Sequence, residues 1–155
     1  MAEWNDRAIS LGLRRFGETG AILEVFAREH GRRRAMIYGG ASQKKRAPMQ
    51  PGNTLQVTWK GGEDSLGFFT AETDRERAAR HMAHAEALAG LSALSELLAA
   101  AMPEAEAKPA LFDAAETVLD MLGEPDVWPA LFIRWELGVL TMLGYGLDLS
   151  NCAIS

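Results

Sequence analysis

A single cysteine, Cys152, stands among 155 residues, which excludes an internal disulfide. No apolar run approaches the roughly 20 residues that a membrane-spanning helix needs. The opening residues, Met1-Ala2-Glu3-Trp4-Asn5-Asp6, show neither the basic nor the apolar stretch of a secretory signal. Together these absences predict a cytoplasmic protein without membrane contact. Catalytic signatures are missing as well: there is no GxxxxGK(S/T), no GxGxxG after a strand, no GxSxG and no HExxH. Without an activated nucleophile or an acid–base pair, the expected function is not enzymatic. One cysteine and three histidines cannot complete a usual structural zinc site, so no metal or other cofactor is expected.

Cations are scarce in one half only. Residues 1–80 hold 14 Lys and Arg against 10 Asp and Glu, a net charge of +4. Residues 81–155 hold only Lys108 and Arg134 against 11 acids, a net charge of −9. So sharp a split predicts a basic face on one module and an acidic second module.

Two periodicities divide the chain at the same place. In the first part Ile9, Leu11 and Leu13 alternate with Ser10, Gly12 and Arg14, the period of a half-buried strand. Ala21 to Arg28 reads as a second strand and Arg34 to Gly39 as a third, joined by a turn at Glu29-His30-Gly31-Arg32. After a polar loop, Thr54 to Lys60 and Leu66 to Glu72 form a second hairpin around Gly61-Gly62-Glu63-Asp64. Five short antiparallel strands are too few for a sandwich, and a small barrel removes its own edges. A five-stranded OB-fold barrel fits, with an SH3-like barrel as competitor.

From Ala78 to Met102 the composition turns to Ala, Leu, Glu and Met, with an apolar face at Leu88, Leu91, Leu94 and Leu98. A second helix is expected from Ala110 to Leu122, with Gly123 at its C-cap. A third is expected from Val127 to about Leu143, with Asp126 as N-cap. Its nearly unbroken apolar surface predicts a central place in a bundle. The predicted class is therefore α+β: an N-terminal barrel over 1–76 and an α-helical domain over 77–155.

The strongest local signal is basic. Residues 28–46 carry seven cations against the single acid Glu29. Arg32, Arg33, Arg34, Lys44, Lys45 and Arg46, joined by Arg14, Arg15 and Lys60, are the candidate phosphate-binding residues. Phe16, Tyr38 and Trp59 lie among them, and Tyr38 is the aromatic assigned to the same nucleic-acid surface. His81 and His84 are spaced to share a helix face near Glu86 and are read as exposed. His30 is read as solvated in its turn, and Cys152 as a small apolar residue. The rival reading is a protein-interaction adaptor or RNA-binding OB-fold module.

Several strings resemble one family. Trp4-x-x-Arg7-Ala8-x-x-Leu11, Arg14-x-x-Gly17-Glu18 and Leu23-Glu24-Val25-Phe26-x-x-Glu29-His30-Gly31-Arg32 look like the bacterial DNA repair protein RecO family. Gly39-Gly40-x-Ser42-x-Lys44 and Gln50-Pro51-Gly52 are similar to it too. Phe132-Ile133-Arg134-Trp135-Glu136-Leu137 and Leu143-Gly144-Tyr145-Gly146-Leu147-Asp148-Leu149-x-x-Cys152 resemble its second signature. The resemblance implies an OB-fold followed by a helical domain. It implies a nucleoid-associated recombination mediator that binds single- and double-stranded DNA, anneals strands and assists recombinase loading. Implied partners are RecR and the acidic C-terminal tail of single-strand-binding protein, the latter with Trp128, Phe132, Arg134 and Trp135 as the candidate contact surface. Some relatives carry a four-cysteine zinc site after the second signature. Only Cys152 stands there in this sequence, so zinc is not expected and a C-terminal part of the family pattern is absent.

Overall fold

The computed structural model describes residues 2–18, 20–38 and 46–144. Five strands come first: β1 Ala2–Phe16, β2 Gly20–Ala27, β3 Gly31–Tyr38, β4 Thr54–Gly61 and β5 Phe68–Arg75. Three helices follow: α1 Ala85–Ala101, α2 Pro109–Asp120 and α3 Trp128–Met142. The strands close into a barrel in the order β1-β2-β3-β5-β4, with β4 returning to β1. All neighbours are antiparallel except β3 and β5, which meet in parallel at Met36 and Phe68. This is the OB-like order, and the class is α+β. Among the described residues no helix is long and apolar enough to cross a membrane.

β1 makes closure possible. It extends well beyond the expected residues 9–14 and serves two seams. Ala2 to Ile9 pair with β4, and Ala8 to Phe16 pair with β2. Between them the register slips from Ser10 to Gly12, and Gly12 holds φ +129°, a backbone state that side-chain-bearing residues rarely adopt. Such a bulge re-aims a strand, as a small barrel requires.

Alternation along the strands builds two cores. Ala8, Leu23, Val25, Ile37, Leu55, Val57 and Phe69 fill the barrel. Ile9 and Phe26 face outward and join Leu91, Leu94, Leu98, Phe112, Leu119 and Trp135 beneath the helices. The Phe26 and Phe112 rings lie 6.0 Å apart. Among the described residues, the helices thus cover one end of the outer β1-β2 face and not the other.

Three helical expectations change. α1 begins at Ala85 rather than Ala78, because tertiary anchors outcompete helix propensity in the preceding segment. The Asn53 side-chain carbonyl accepts from the Arg77 and Ala78 amides at 2.8 and 2.9 Å, and Glu76 accepts from the Ala79 amide at 2.9 Å. α2 ends at Asp120, with Met121 rather than Gly123 at its C-cap. α3 starts after Val127, not on an Asp126 cap, and its first amides are met by the Glu124 carbonyl. It also lies at the margin: only Trp135 and Val139 are buried, and Ile133 is 59% exposed.

Candidate nucleic-acid interface

Strand alternation decides where each arginine of the Arg32-Arg33-Arg34 run points. Arg32 is paired across the sheet with Phe26, and Arg34 with Glu24, so both project from the outer face. Arg33 is opposite Val25, on the inner side. The run does not fan over one rim, as the residues meet three different environments. The Arg32 Nε donates to the Met102 carbonyl at 2.9 Å, and its Nη1 lies 3.3 Å from Glu24. It ties β3 to the end of α1. Arg33 donates to the His30 carbonyl at 3.1 Å, its guanidinium 5.8 Å from the centre of the Trp4 ring. Arg34 is exposed and only loosely paired, 3.8 Å from Glu104.

His30 is half-buried rather than solvated. It stacks on Trp4 at 3.9 Å and its Nδ1 lies 2.9 Å from the buried Asp6 carboxylate. Trp59 stacks behind Trp4 at 6.0 Å and donates its indole N–H to the Leu66 carbonyl. This group caps one barrel mouth.

The remaining cations separate into two sets. Those near the helices are neutralised. Arg28 holds Asp113 through two hydrogen bonds of 2.9 Å and also pairs with Glu29. Hydrogen bonding to Asp113 raises the Arg28 pKa, and the same bond holds the Asp113 carboxyl below its ordinary value. Arg7 reaches Asp74 and Glu116, each at 3.0 Å. Arg77 is 1% exposed and donates to the Gly52 carbonyl, Thr54 Oγ1, Glu116 and Asp120. Arg75 takes the other oxygen of Asp120 at 2.9 Å. Burial pushes the Asp120 carboxyl up, but the hydrogen bonds and charges of Arg77 and Arg75 outweigh it and keep it low.

The other set looks away from the helices. Arg14, Arg15 and Arg46 are exposed, and no carboxylate lies within 4.0 Å of them among the described residues. Lys60 is exposed and 3.5 Å from Glu3. Lys44 and Lys45 lie outside the described residues. A groove of about 1050 Å³ runs between the β1 bulge and the turn after the loop, lined by Leu11, Gly12, Leu13, Arg46 and Pro51. A second hollow continues from Leu11–Leu13 over Arg14, Ile22, Glu24 and Arg34. Arg46, Arg14 and Arg34 therefore border one connected concave surface.

Tyr38 stands at the end of β3, opposite Gly20. It is 69% exposed and stacks on Phe68 at 4.8 Å with the rings 10° from parallel. Phe68 escaped sequence reading because Phe68 and Phe69 adjoin, and only register tells which one enters the barrel.

Comparison with known proteins matches both parts of the chain. A family model described as "Recombination protein O N terminal" covers residues 1–74, and one described as "Recombination protein O C terminal" covers residues 82–155. The chain belongs to the recombination protein O family. It is 50% identical over 155 residues to the DNA repair protein RecO of Hyphomonas neptunium, covering 98% of this chain and 64% of that protein. It is 45% identical to the DNA repair protein RecO of Ruegeria sp., over 97% of this chain and 63% of the relative. The RecO of Roseobacter denitrificans is 44% identical, over 99% of this chain and 64% of the relative. The chain thus spans somewhat less than two thirds of the length of these curated relatives.

In this family member the helical part offers two clefts. One, of about 300 Å³, lies between α2 and α3 and is lined by Leu111, Thr117, Leu131, Arg134 and Trp135. The other, of about 520 Å³, is lined by Arg80, His81, His84, Leu122 and Trp128. Trp128 and Phe132 are half-buried and meet edge to face, and Arg134 is exposed. Trp135 is buried, its indole N–H given to the Leu111 carbonyl, so it forms the floor. His81 is buried and only His84 exposed, and both precede α1 rather than sharing its face. Burial, with help from Arg80, His84 and Arg77, lowers the His81 pKa. Arg80 and His84 were not among the sequence candidates for partner binding, although a basic cluster just ahead of a helix was visible. Among the described residues, no group of three or more His, Cys, Asp and Glu is placed to hold a metal. Cys152 lies outside them.

Proposed function

We propose that this chain acts in DNA repair and recombination as a non-enzymatic mediator: it binds single- and double-stranded DNA on the barrel, promotes annealing and assists recombinase loading on strands coated by single-strand-binding protein. Family membership supports the repair role. The observation that carries the binding surface is the set of exposed arginines Arg14, Arg34 and Arg46 bordering one concave surface, with Arg15 exposed next to Arg14 on β1. Lys44, Lys45 and Lys60 extend the set in sequence. Two strands repel each other at pairing distance, and such a cationic surface screens both backbones. Phosphate contacts of this kind carry no base information, so sequence specificity is low.

The helical part is the proposed partner side. RecR and the acidic tail of single-strand-binding protein are the partners the family suggests. An acidic peptide with apolar side chains suits a cleft that combines aromatic walls with Arg134 or Arg80. Such a mediator works in the cytoplasm at the nucleoid and needs no cofactor.

The test is annealing of complementary oligonucleotides by the purified chain, with and without single-strand-binding protein, alongside binding to DNA, RNA and an acidic peptide at matched salt. With about 4–6 phosphates engaged, log affinity for single strands falls against log salt with a slope of about −3 to −4. Preference for RNA, or binding of acidic peptide alone, would select the adaptor or RNA-binding alternative.

A further inference from the structure

Among the described residues, the end of the outer sheet face that the helices do not cover carries an aromatic arrangement that phosphate screening does not require. Across the last rung of the sheet, Phe16 of β1 is opposite Gly20 of β2, and Gly20 is opposite Tyr38 of β3. Phe16 is 54% exposed and Tyr38 69%. The position between them has no side chain. Neighbouring strands lie about 4.8 Å apart, so these two aromatic positions are about 9.6 Å apart along the rung. The Met36 methyl lies 3.8 Å from where a Gly20 Cβ would stand, and the Tyr38 ring lies against Phe68, so the space over Gly20 is a shelf floored by Met36 between the two aromatic positions.

The next rung, about 7 Å back along the strands, reads Arg14, Ile22, Met36, Phe68. Its Phe68 ring lies parallel to that of Tyr38. An apolar floor, a stacked pair and a lone exposed ring thus stand together, with Arg14 beside the shelf and Arg34 one rung further. On that further rung the only acid is Glu24, already engaged by Arg32.

We propose that Phe16, Tyr38 and Phe68 form a stacking platform for unpaired nucleobases, one base seated over Gly20, while Arg14 takes the adjoining phosphate. The proposal rests on the nucleic-acid reading above and specifies its ligand as single strand rather than duplex. Bases inside a duplex are already stacked on both faces, so they offer no free ring to this surface. An unpaired base does, and stacking accepts any base. Charge chooses the occupant: a strip of exposed rings flanked by arginines matches a polyanion bearing flat apolar groups.

The test measures binding of the 155-residue chain to three probes of about 16 nucleotides, the upper site size of an OB fold: oligo-dT, the same backbone with tetrahydrofuran spacers in place of nucleosides, and a blunt duplex. Phe16→Leu and Tyr38→Leu keep apolar cover while removing the π face, and thermal melting checks that each still folds. Wild type should prefer oligo-dT over the base-free backbone by tenfold or more. Each Leu variant should lose between about fivefold and a hundredfold on oligo-dT and nothing on the other probes. Equal wild-type affinity for oligo-dT and the base-free strand, or Leu variants that bind oligo-dT as wild type does, would overturn the platform while leaving phosphate binding intact. Equal losses on all three probes would also overturn it. A wild-type chain that binds none of them would remove the nucleic-acid reading and the platform together.

Discussion

The two sides of the barrel use the same residue type for opposite purposes. On the side packed against the helices, Arg7, Arg28, Arg75 and Arg77 are matched to Asp74, Asp113, Glu116 and Asp120. On the other side Arg14, Arg15 and Arg46 have no carboxylate neighbour among the described residues, and Arg34 has only a distant one. The charge split between the halves of the chain is therefore partly spent inside the molecule. Net charge by segment overstates the cationic surface left for a polyanion, and geometry decides which arginines remain available.

The largest effect separating the two sides should come from Arg77→Met. Its guanidinium is the hub of a buried network, and removal leaves Glu116 facing Thr54 without its inward cation. Breaking a buried ion pair typically costs about 3–5 kcal/mol, to be read as a lowered urea midpoint. A midpoint within error of wild type would dissolve the distinction. The converse variant, Arg14→Ala with Arg15→Ala and Arg46→Ala, should leave the melting temperature unchanged. It should make the salt slope for single strands shallower by about 2, since each lost phosphate contact contributes about 0.7. An unaltered slope would place the phosphate contacts elsewhere.

A smaller effect is expected with pH, and its sign is fixed. The lowered His81 pKa means the folded chain binds fewer protons than the unfolded one. Its contribution is complete above the unfolded value of about 6.5 and is lost as pH falls through the folded value. Asp120 acts the same way lower down: its contribution is present above about 3.9 and disappears through its depressed folded value. The melting temperature should fall on acidification in two stages, and His81→Gln should remove the upper one. A wild-type melting temperature that stays flat through the upper stage would contradict the burial of His81. Least of all, Arg28→Ala should barely move the midpoint, because the Arg28–Asp113 pair is open to water. A large loss would move that pair into the structural set with Arg77.

The barrel was largely legible in the sequence because β2 and β4 alternate cleanly. The first half of β1 was not, because Asp6 occupies an inward position. It is tolerated there since it accepts the Glu29 amide at 2.7 Å and meets His30. Such a partner 23 residues away leaves no local trace. Helix composition showed three helices but not where α1 starts, since Asn53 holds the segment before it from a distant loop. The apolar surface of α3 indicated burial, yet composition cannot say which neighbour supplies cover. For the site, the density of cations was plain, while their division into matched and unmatched sets depends on contacts across the fold. The exposed position of Phe68 was equally hidden, because register alone decides which of two adjacent phenylalanines turns inward.

The Asn53–Arg77 joint has a mechanical consequence. It clamps the exit from β5 to the barrel loop and to α2 through charged hydrogen bonds on three sides, so the segment before α1 acts as a bracket rather than a tether. A polypeptide captured on the helices and a polymer lying on the sheet would then be carried at a constant offset, each placed by the same rigid corner.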